Sequence, residues 1–319
     1  MATVLERPPQ DRAEPAVPGV RVLDAKTARL QKRIVLVVTV LPFIGLIAAV
    51  WSAWGSGLSG LDMALFASMY LVTGFGVTVG YHRLFTHQSF QTKAWVRAAL
   101  AIAGSMAIQG PVIRWVADHR RHHAFSDQPG DPHSPHLDEG PGIRGVAKGL
   151  WHAHMGWLFV DEQTSAKRWS PDMVRDPVMR RIDRLFPLWV AISFTLAPVV
   201  GFALTGTIAG AVSAFIWGSL VRIFMLHHVT WSINSICHFY GERPYQTTDF
   251  STNNWVLSLI SLGESWHNNH HAFPTSAVHG LRPYQIDLTG GFIRTLKTLG
   301  LAWDVKTVSQ KQQAAKSVA

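Results

Sequence analysis

The sequence predicts an all-α integral membrane protein with four transmembrane helices in two hairpins and a histidine-rich metal site on the cytoplasmic side. Three observations carry this prediction. Only 15% of the 319 residues are charged, against about 25% in a typical soluble domain. Long uncharged stretches occur in two pairs. Most of the 16 histidines fall in short clusters that follow these stretches.

The chain divides into three parts by composition. Residues 1–33 are rich in proline and charge and predict a disordered basic leader without a cleavable signal peptide. Residues 34–303 form the predicted membrane domain. Residues 304–319, rich in Lys, Gln, Ser and Ala, predict a flexible tail. The single cysteine, Cys237, excludes an internal disulfide framework and a cysteine-only metal site.

Four segments are long enough to cross a bilayer core, and they are uncharged apart from Asp62 and Arg222 at the edges of two of them. A short glycine-rich linker joins the first pair, and a break at residues 204–207 divides the second pair. Two further apolar stretches are too short to span the bilayer and predict interfacial or buried helices. The alternative is that one of them crosses the membrane. The predicted spans are 34–54, 62–81, 185–204 and 207–226, and the shorter stretches are 98–113 and 253–263.

The basic residues predict the orientation of these spans. None of the 29 Lys and Arg residues lies between residues 34 and 81 or between 185 and 221, and Arg222 lies at the edge of the last span. The positive-inside rule then makes the other segments cytoplasmic. An even number of spans also returns every histidine cluster to that face. We therefore expect a multi-pass plasma-membrane protein whose two termini and histidine clusters are cytoplasmic.

The histidines recur at helical spacings. Residues three and four apart share one face of a helix, so each H-x-x-H-H cluster presents three imidazoles together. Asn234 and His238 are one turn apart, whereas His82 and His87 are separated by about 140° on an ideal helix, which predicts a helix end there. The candidate ligands are His82, His87, His119, His122, His123, His238, His267, His270 and His271, with Asn234 as an oxygen or water-mediated ligand.

Nine imidazoles are too many for one ion and suit two. Imidazole binds Zn, Cu, Fe and Ni, so the residue type does not name the metal. Structural zinc commonly takes four ligands that include thiolates, which are absent here, and a redox-active metal is favoured. Each remaining histidine is interpreted as a solvated side chain. These are His133, His136, His152, His154, His227, His228 and His279.

With these motifs the chain resembles the membrane fatty acid desaturase family, and in particular its stearoyl-CoA (delta-9) branch. The matching segments are HRLFTH, DHRRHHAFSDQPGDPHS, HMGWLF, TWSINSICHFYG and ESWHNNHHAFP. The short leader and compact loops are typical of bacterial, and especially actinobacterial, members. The resemblance implies a mushroom-like helical protein, in which a cytoplasmic helical cap over a four-helix membrane stem holds the histidine-rich di-iron site. It also implies two Fe ions on the nine histidines, a water held by Asn234, and O2 as co-substrate.

The implied reaction puts a cis double bond, at the delta-9 position, into a long-chain saturated acyl group carried on CoA. No haem-binding His-Pro-Gly-Gly segment occurs, which implies a separate electron donor, either an NAD(P)H-dependent reductase or a ferredoxin. The other expected partners are membrane lipids, and no nucleic acid is expected. Ala117 replaces an arginine that helps to grip CoA in animal relatives, so acyl-lipid and carrier-protein substrates stay open. The basic residues Arg175, Arg180, Arg181 and Arg184 suit either CoA phosphates or lipid headgroups.

The resemblance also implies substrate residues. Gln109, Trp115, Asp118, Thr230 and Trp231 match positions near the acyl channel, although a membrane-belt position explains Trp231 equally well. Phe66 and Tyr70 share one face of the second span and are predicted to close the far end of the channel. Four carboxylates are candidates for orienting ligand imidazoles. These are Asp118, Asp131, Asp249 and Glu264, with a turn-forming role for Asp131 and a helix-capping role for Glu264 as the alternatives.

Two rival functions remain at this point. A membrane hydroxylase shares the histidine boxes and would insert oxygen instead of removing hydrogen. A metal transporter would need polar or ionisable residues along its spans, and the uncharged segments count against it.

Overall fold

The computed structural model describes residues 17–137 and 140–318. Helices dominate the fold, and two small antiparallel ladders add to the predicted all-α architecture. Strand β1 (Val20–Val22) pairs with β3 (Glu162–Thr164), and β2 (Gln91–Thr92) pairs with β4 (Ala302–Trp303). The first 16 residues of the predicted leader lie outside the described residues.

Four continuous helices of the described chain are long and apolar enough to cross a membrane. The first two contain the predicted spans 34–54 and 62–81, and the last two begin one residue after the predicted spans 185–204 and 207–226. The first pair is separated at Ser59, which caps the second helix through a reciprocal bond with Asp62. The second pair is separated at Gly206, whose φ of 66° ends the preceding helix in the left-handed conformation. The four are α1 (Ala25–Ser56); α2 (Gly60–Phe75) with the π-helical stretch Gly76–Thr86; α9 (Phe186–Thr205); and α10 (Ile208–Ala214) with the π-helical stretch Phe215–Val221 and α11 (Arg222–Ser235).

The remaining helices are short. They are α3 (Ala94–Ser105), α4 (Val112–Phe125), α5 (Gly142–His154), α6 (Ala166–Trp169), α7 (Pro171–Arg175), α8 (Pro177–Arg184), α12 (His267–Ala272), α13 (Leu288–Thr298) and α14 (Gln310–Lys316). The apolar stretch 98–113 is divided between α3 and the start of α4. The stretch 253–263 forms turns instead of the predicted helix, and its Trp255 side chain is exposed.

Glycine allows the ligand-bearing helix to pack closely against α3. A Cβ on Gly76 would lie 2.1 Å from the backbone nitrogen of Gly104, so both backbones meet only because neither residue has a side chain. The π-helical stretch 76–86 is buried along its whole length, and Tyr81 and Phe85 join the largest core cluster. This packing fixes the end of the helix that carries His82.

Secondary structure extends into both of the predicted end segments. Residues 17–33 contain β1 and the first turns of α1, which begins at a cap formed by Asp24. The predicted flexible tail is tied down by backbone bonds, since Lys306 N donates to Ser89 O at 2.9 Å. The tail then forms α14, where Lys316 Nζ donates to Ala272 O at 2.6 Å. Main-chain hydrogen bonds do not depend on side-chain polarity, so the polar composition of these segments gives no sign of such contacts.

Candidate metal centre

The structure brings all nine predicted histidine ligands together in two adjacent groups. In each group the potential ligand atoms lie within 4.8 Å of one another. The first group contains five histidines, and the second contains four. The five are His82, His87, His119, His123 and His270; the four are His122, His238, His267 and His271.

The nitrogen spacing in each group fits metal ligation. In the first group, Nε2 of His270 lies 2.9 Å from that of His123 and 3.1 Å from that of His82. In the second, Nε2 of His267 lies 3.0 Å from those of His238 and His271. Imidazole nitrogens at about 2.1 Å from one ion and at right angles to each other are about 3.0 Å apart. Each group therefore has the donor set and the spacing for one ion.

The first histidine box depends on π-helical winding. The helix carrying His82 ends at Thr86, as the five-residue spacing predicts, and His87 N closes the last turn on His82 O at 3.1 Å. A π-helix bonds residues five apart, so it places these two rings on one side, with ring centroids 4.8 Å apart. The five-residue spacing predicts the helix end, but it gives no sign of the π-helical winding that brings the two ligands together.

The other boxes follow the helical spacing that the sequence predicts. Helix α4 presents His119, His122 and His123, and the short helix α12 presents His267, His270 and His271. Each of these helices contributes to both groups. His238 differs, because α11 ends at Ser235 and His238 lies in the 3₁₀ turn Ile236–His238 that follows.

Four carboxylates orient ligand imidazoles through the Nδ1 atom, on the side of the ring away from the other ligands. Nδ1 of His122 lies 2.9 Å from Asp131, and Nδ1 of His271 lies 2.7 Å from Asp249. His82 Nδ1 pairs with Glu264, which also accepts from the buried Arg83 guanidinium at 2.7 Å. Glu264 is thus an orienting carboxylate rather than a helix cap. Asp131 has both predicted roles, since it also accepts from the backbone of His133 at 3.0 Å.

One orienting carboxylate was missed and one was misplaced by sequence reasoning. Asp127 Oδ2 lies 2.7 Å from His238 Nδ1. The two residues are 111 positions apart, so no local spacing could reveal the contact. Asp118, although next to His119, lies 3.6 Å from Arg114 Nε on its own helix. Adjacent helical residues point in different directions, so Asp118 faces away from the ligands.

Burial keeps most ligand imidazoles neutral. Burial, followed by the neighbouring imidazoles, holds the pKa of His119, His123 and His270 well below the ordinary value of 6.5. Asp131 reverses this effect at His122, whose pKa is raised although burial opposes its charged form. A neutral imidazole is the form that binds a metal. His119, His123 and His270 are therefore available as ligands near neutral pH.

Unpaired buried nitrogens give a further test of the fit to a metal. Nε2 of His87 is buried without a hydrogen-bond partner, although buried polar atoms are almost always paired. This nitrogen belongs to the five-histidine group, where an ion would satisfy it. The residues present therefore fit two metal ions held by imidazole.

An apolar cavity lies beside both groups. Its wall includes the ligands His82, His119 and His267 together with Asn234 and Glu264. The Trp115 indole lines it and stacks on His119, with ring centroids 5.0 Å apart. The other lining residues are Val77, Thr78, Leu226, Val229, Thr230, Ile233, Ile260, Ser261 and Leu262.

The predicted substrate residues take different places around this cavity. Gln109 Nε2 donates to Thr230 Oγ1 at 2.8 Å, which fixes the wall beside Trp115. Tyr70 donates to the carbonyl of the lining residue Ile260 at 2.6 Å and stacks on Phe66. Trp231 is buried against the rings of His154, His227 and His228 and is not among the lining residues. Asp118 is likewise outside the lining set.

The solvated interpretation is wrong for three of the other histidines. His133, His227 and His279 are each less than 5% exposed. His279 packs on the ligand His270 with ring centroids 4.5 Å apart, and His133 packs on His122 at 4.4 Å. His227 Nε2 donates to Ala107 O at 2.9 Å. Single histidines carry no spacing signal, so only the tertiary structure reveals their burial.

The comparisons with known proteins agree with this geometry. A sequence model described as "Fatty acid desaturase" matches residues 61–288, which contain every candidate ligand. This chain belongs to the fatty acid desaturase family. It is 41% identical over 291 residues to a hex-5-enoyl-[acyl-carrier protein] acetylenase of Moorena producens, covering 91% of each protein. It is 38% identical to an sn-1 stearoyl-lipid 9-desaturase of Anabaena variabilis, covering 86% of this chain and 95% of the relative.

A third relative has a substrate of another class. An acyl-CoA C20 delta5-desaturase of Anemone leveillei is 36% identical over 248 residues, which is 76% of this chain and 73% of the relative. The desaturases among these relatives are oxidoreductases that act on fatty acyl chains, and this fatty acid desaturase is an enzyme of the same kind. Its four long apolar helices identify it as a membrane protein.

Proposed function

We propose that this desaturase introduces a cis double bond at carbon 9 of a long-chain saturated acyl group, using O2 and two electrons from an external donor. One observation carries the proposal: nine imidazoles converge in two groups beside an apolar cavity. Two neighbouring sites suit a reaction that needs two metal ions, and the cavity suits a hydrocarbon substrate. The cavity wall includes ligands of both groups, so a bound chain would lie next to both ions.

We assign two Fe ions to the nine histidines, with Asn234 as a water-mediated ligand at the cavity wall. When bound and reduced, the iron pair supplies the O2 chemistry that removes hydrogen from unactivated methylene groups. Protein side chains supply the ligand geometry, since Asp127, Asp131, Asp249 and Glu264 each hold one imidazole by its Nδ1 atom. Such outer contacts fix the tautomer and the orientation of the ring.

The cavity side chains position the acyl chain. An alkyl chain offers no hydrogen bonds, so its register must be set by the shape of the wall. Trp115 shapes the wall at the ligands, and Thr230 is held in place by the amide of Gln109. The same apolar lining excludes water from the reacting carbons.

We propose CoA as the carrier of the acyl chain. Helices α7 and α8 present four exposed arginines, Arg175, Arg180, Arg181 and Arg184, whose charge suits the phosphates of CoA. Relatives are named for acyl-lipid, acyl-CoA and acyl-carrier-protein substrates. We further propose a plasma-membrane location with cytoplasmic termini and histidines, and a separate reductase or ferredoxin as electron donor.

Expression in a desaturase-deficient host, followed by gas chromatography with double-bond mapping, tests the reaction. We expect 9-unsaturated chains from the unsubstituted protein and from His152→Ala, which lies outside both groups, and none from His122→Ala. Hydroxylated products would make the protein a hydroxylase, and a folded protein without bound iron and without product would overturn the proposal. Supplying purified protein with labelled stearoyl-CoA, stearoyl phospholipid or stearoyl carrier protein identifies the carrier.

A further inference from the structure

Arg222 is a fully buried cation in the last long apolar helix. Its side chain has no exposed surface, and its hydrogen bonds within the described part of the chain go to Ser193, Met106 and Gly218 rather than to a carboxylate. The guanidinium donates to Ser193 Oγ at 2.7 Å, to Met106 O at 3.1 Å and to Gly218 O at 3.3 Å. An ionisable residue inside a membrane segment is costly to bury and commonly marks a function.

These bonds converge on the end of α3. The last carbonyls of a helix have no partner within the helix, and in apolar surroundings another donor must satisfy them. Met106 O accepts from Arg222 and also from Ser193 Oγ at 2.6 Å, and Ala107 O accepts from His227 Nε2 at 2.9 Å. A positive charge is favourable at this end of a helix. Arg222, Ser193 and His227 are named here the Arg222 network.

The turn that the network holds is strained. Ile108 has a φ of +60° and Gly110 a φ of +105°. A β-branched residue rarely adopts positive φ, and such a conformation persists only where the surroundings enforce it. The turn 106–110 is therefore not a conformation that its own sequence prefers, and the Arg222 network is the group of side chains that bonds to its first carbonyls.

The same turn borders the acyl cavity. Ala107 packs in a buried cluster with Val77 and Leu226, both of which line the cavity. Gln109 reaches the lining residue Thr230 through its amide. A displacement of the turn would therefore move the wall that faces the acyl chain, although no member of the network lines the cavity itself.

We infer that the Arg222 network is a positioning device that sets where along the acyl chain the double bond forms. This inference rests on the proposed desaturation. The network bonds to the first carbonyls of the turn 106–110, and this turn positions Ala107 and Gln109. Those two residues contact Val77, Leu226 and Thr230 in one wall of the cavity. Arg222, Ser193 and His227 act through that wall and touch no reacting atom.

The test compares double-bond positions in the products of Ser193→Ala, Arg222→Lys and Arg222→Met. Ser213→Ala is the matched control, because Ser213 lies in the same long helix as Arg222 and its Oγ donates to Asp62 Oδ1 of α2 at 2.9 Å instead of to the turn. Iron content of each purified variant is measured first, so that lost folding is separated from lost positioning. Ser193→Ala leaves the Arg222 charge in place and removes only one of its acceptors, so this variant still tests the inference if Arg222→Met does not fold.

Iron-loaded Ser193→Ala and Arg222→Met are expected to place the double bond at a second position in about a tenth or more of the product, since one hydrogen bond corresponds to a preference of roughly tenfold. Arg222→Lys should show a smaller displacement, and Ser213→Ala none. A loss of yield with an unchanged single position in both iron-loaded variants would overturn the inference. Absence of any unsaturated product from the unsubstituted protein would instead overturn the proposed function on which it rests.

Discussion

Each imidazole that binds a metal through Nε2 carries a hydrogen atom on Nδ1, and a buried donor of this kind needs an acceptor. In this desaturase a carboxylate lies at that position for four of the nine candidate ligands. His238 and Asp127 form the pair that sequence reasoning missed, with 2.7 Å between Nδ1 and Oδ2. Burial alone would raise the pKa of Asp127, but the hydrogen bond from His238 and the charge of that imidazole lower it to about 2. The carboxylate is therefore ionised at neutral pH.

Asp127→Asn is expected to weaken iron binding in the four-histidine group by about 10- to 100-fold, because it removes the charge that orients His238 and keeps the side chain's size. Asp118→Asn is the control, since this carboxylate faces Arg114 and no ligand. Iron content after a timed challenge with a chelator is the measurement. Equal retention in the two variants would show that Asp127 does not support the ligand.

Tyr70 sets the depth of the cavity if the predicted closure is correct. Its hydroxyl donates to Ile260 O at 2.6 Å, and its ring stacks on Phe66 with centroids 5.8 Å apart. Tyr70→Ala should shift the products to longer chains by about fourfold for each methylene that gains an apolar contact. The measurement is the chain-length profile of the fatty acid products. Tyr240→Ala, which changes an exposed tyrosine, is the control. An unchanged profile would remove Tyr70 from the chain-length boundary.

At the scale of elements, the sequence predicts what is periodic and local. The four apolar helices and the boxes on α4 and α12 follow from composition and from spacings of three and four residues. The π winding that joins His82 to His87 could not be predicted, because a π-helix is rare and depends on packing against α3. The docking of α14 could not be predicted either, since its contacts are to main-chain atoms distant in sequence.

Helix α14 supports the last histidine box. Lys316 Nζ donates to Ala272 O, the final residue of α12, and lies 5.3 Å from the centroid of the Phe273 ring. Tyr245 adds a second connection, because its hydroxyl donates to Gln313 while its backbone N–H donates to Asn268 Oδ1 at 2.9 Å. The C-terminal helix is thus attached to the element that supplies ligands to both metal groups.

Lys316→Met is expected to release iron about threefold faster to a chelator, because it removes a charged donor from the end of α12 while keeping an apolar stem over Phe273. Lys316→Arg should restore retention. Lys311→Met, which changes an exposed lysine on the same helix, is the control. Matching release rates from the Lys316 and Lys311 variants would mean that α14 only covers the surface.

At the scale of the whole molecule, charged residues are rare in the central parts of the four long apolar helices. Each of the four long helices has an 18-residue stretch with at most two charged residues, whereas α1 begins with the basic residues Lys26, Arg29, Lys32 and Arg33. The histidines meet where four separate segments converge. The residue types predicted this meeting, but the assignment of five histidines to one group and four to the other required the tertiary structure. The histidine boxes on α4 and α12 each supply ligands to both groups, so the spacing within one box could not reveal the assignment.

Protons compete with iron for this centre, and the buried imidazoles set the direction of that competition. Six ligands outside the long apolar helices have pKa values held well below 6.5 by burial and then by their neighbours. Below pH 6.5 the unfolded chain therefore binds protons that the folded metal-free protein does not. His122 has the opposite shift and offsets one of the six.

The metal-free protein should consequently lose stability as the pH falls from about 7 through 6.5 toward the lowered pKa values. Each proton bound in excess by the unfolded chain gives a slope of about 1.4 kcal/mol per pH unit. Iron occupies the same nitrogens and keeps them deprotonated, so the loaded protein should resist acid to a lower pH. Thermal unfolding in detergent at pH 7.5 and 5.5, with and without iron, measures this. Equal losses for the loaded and metal-free protein would mean that groups outside the centre control its acid stability.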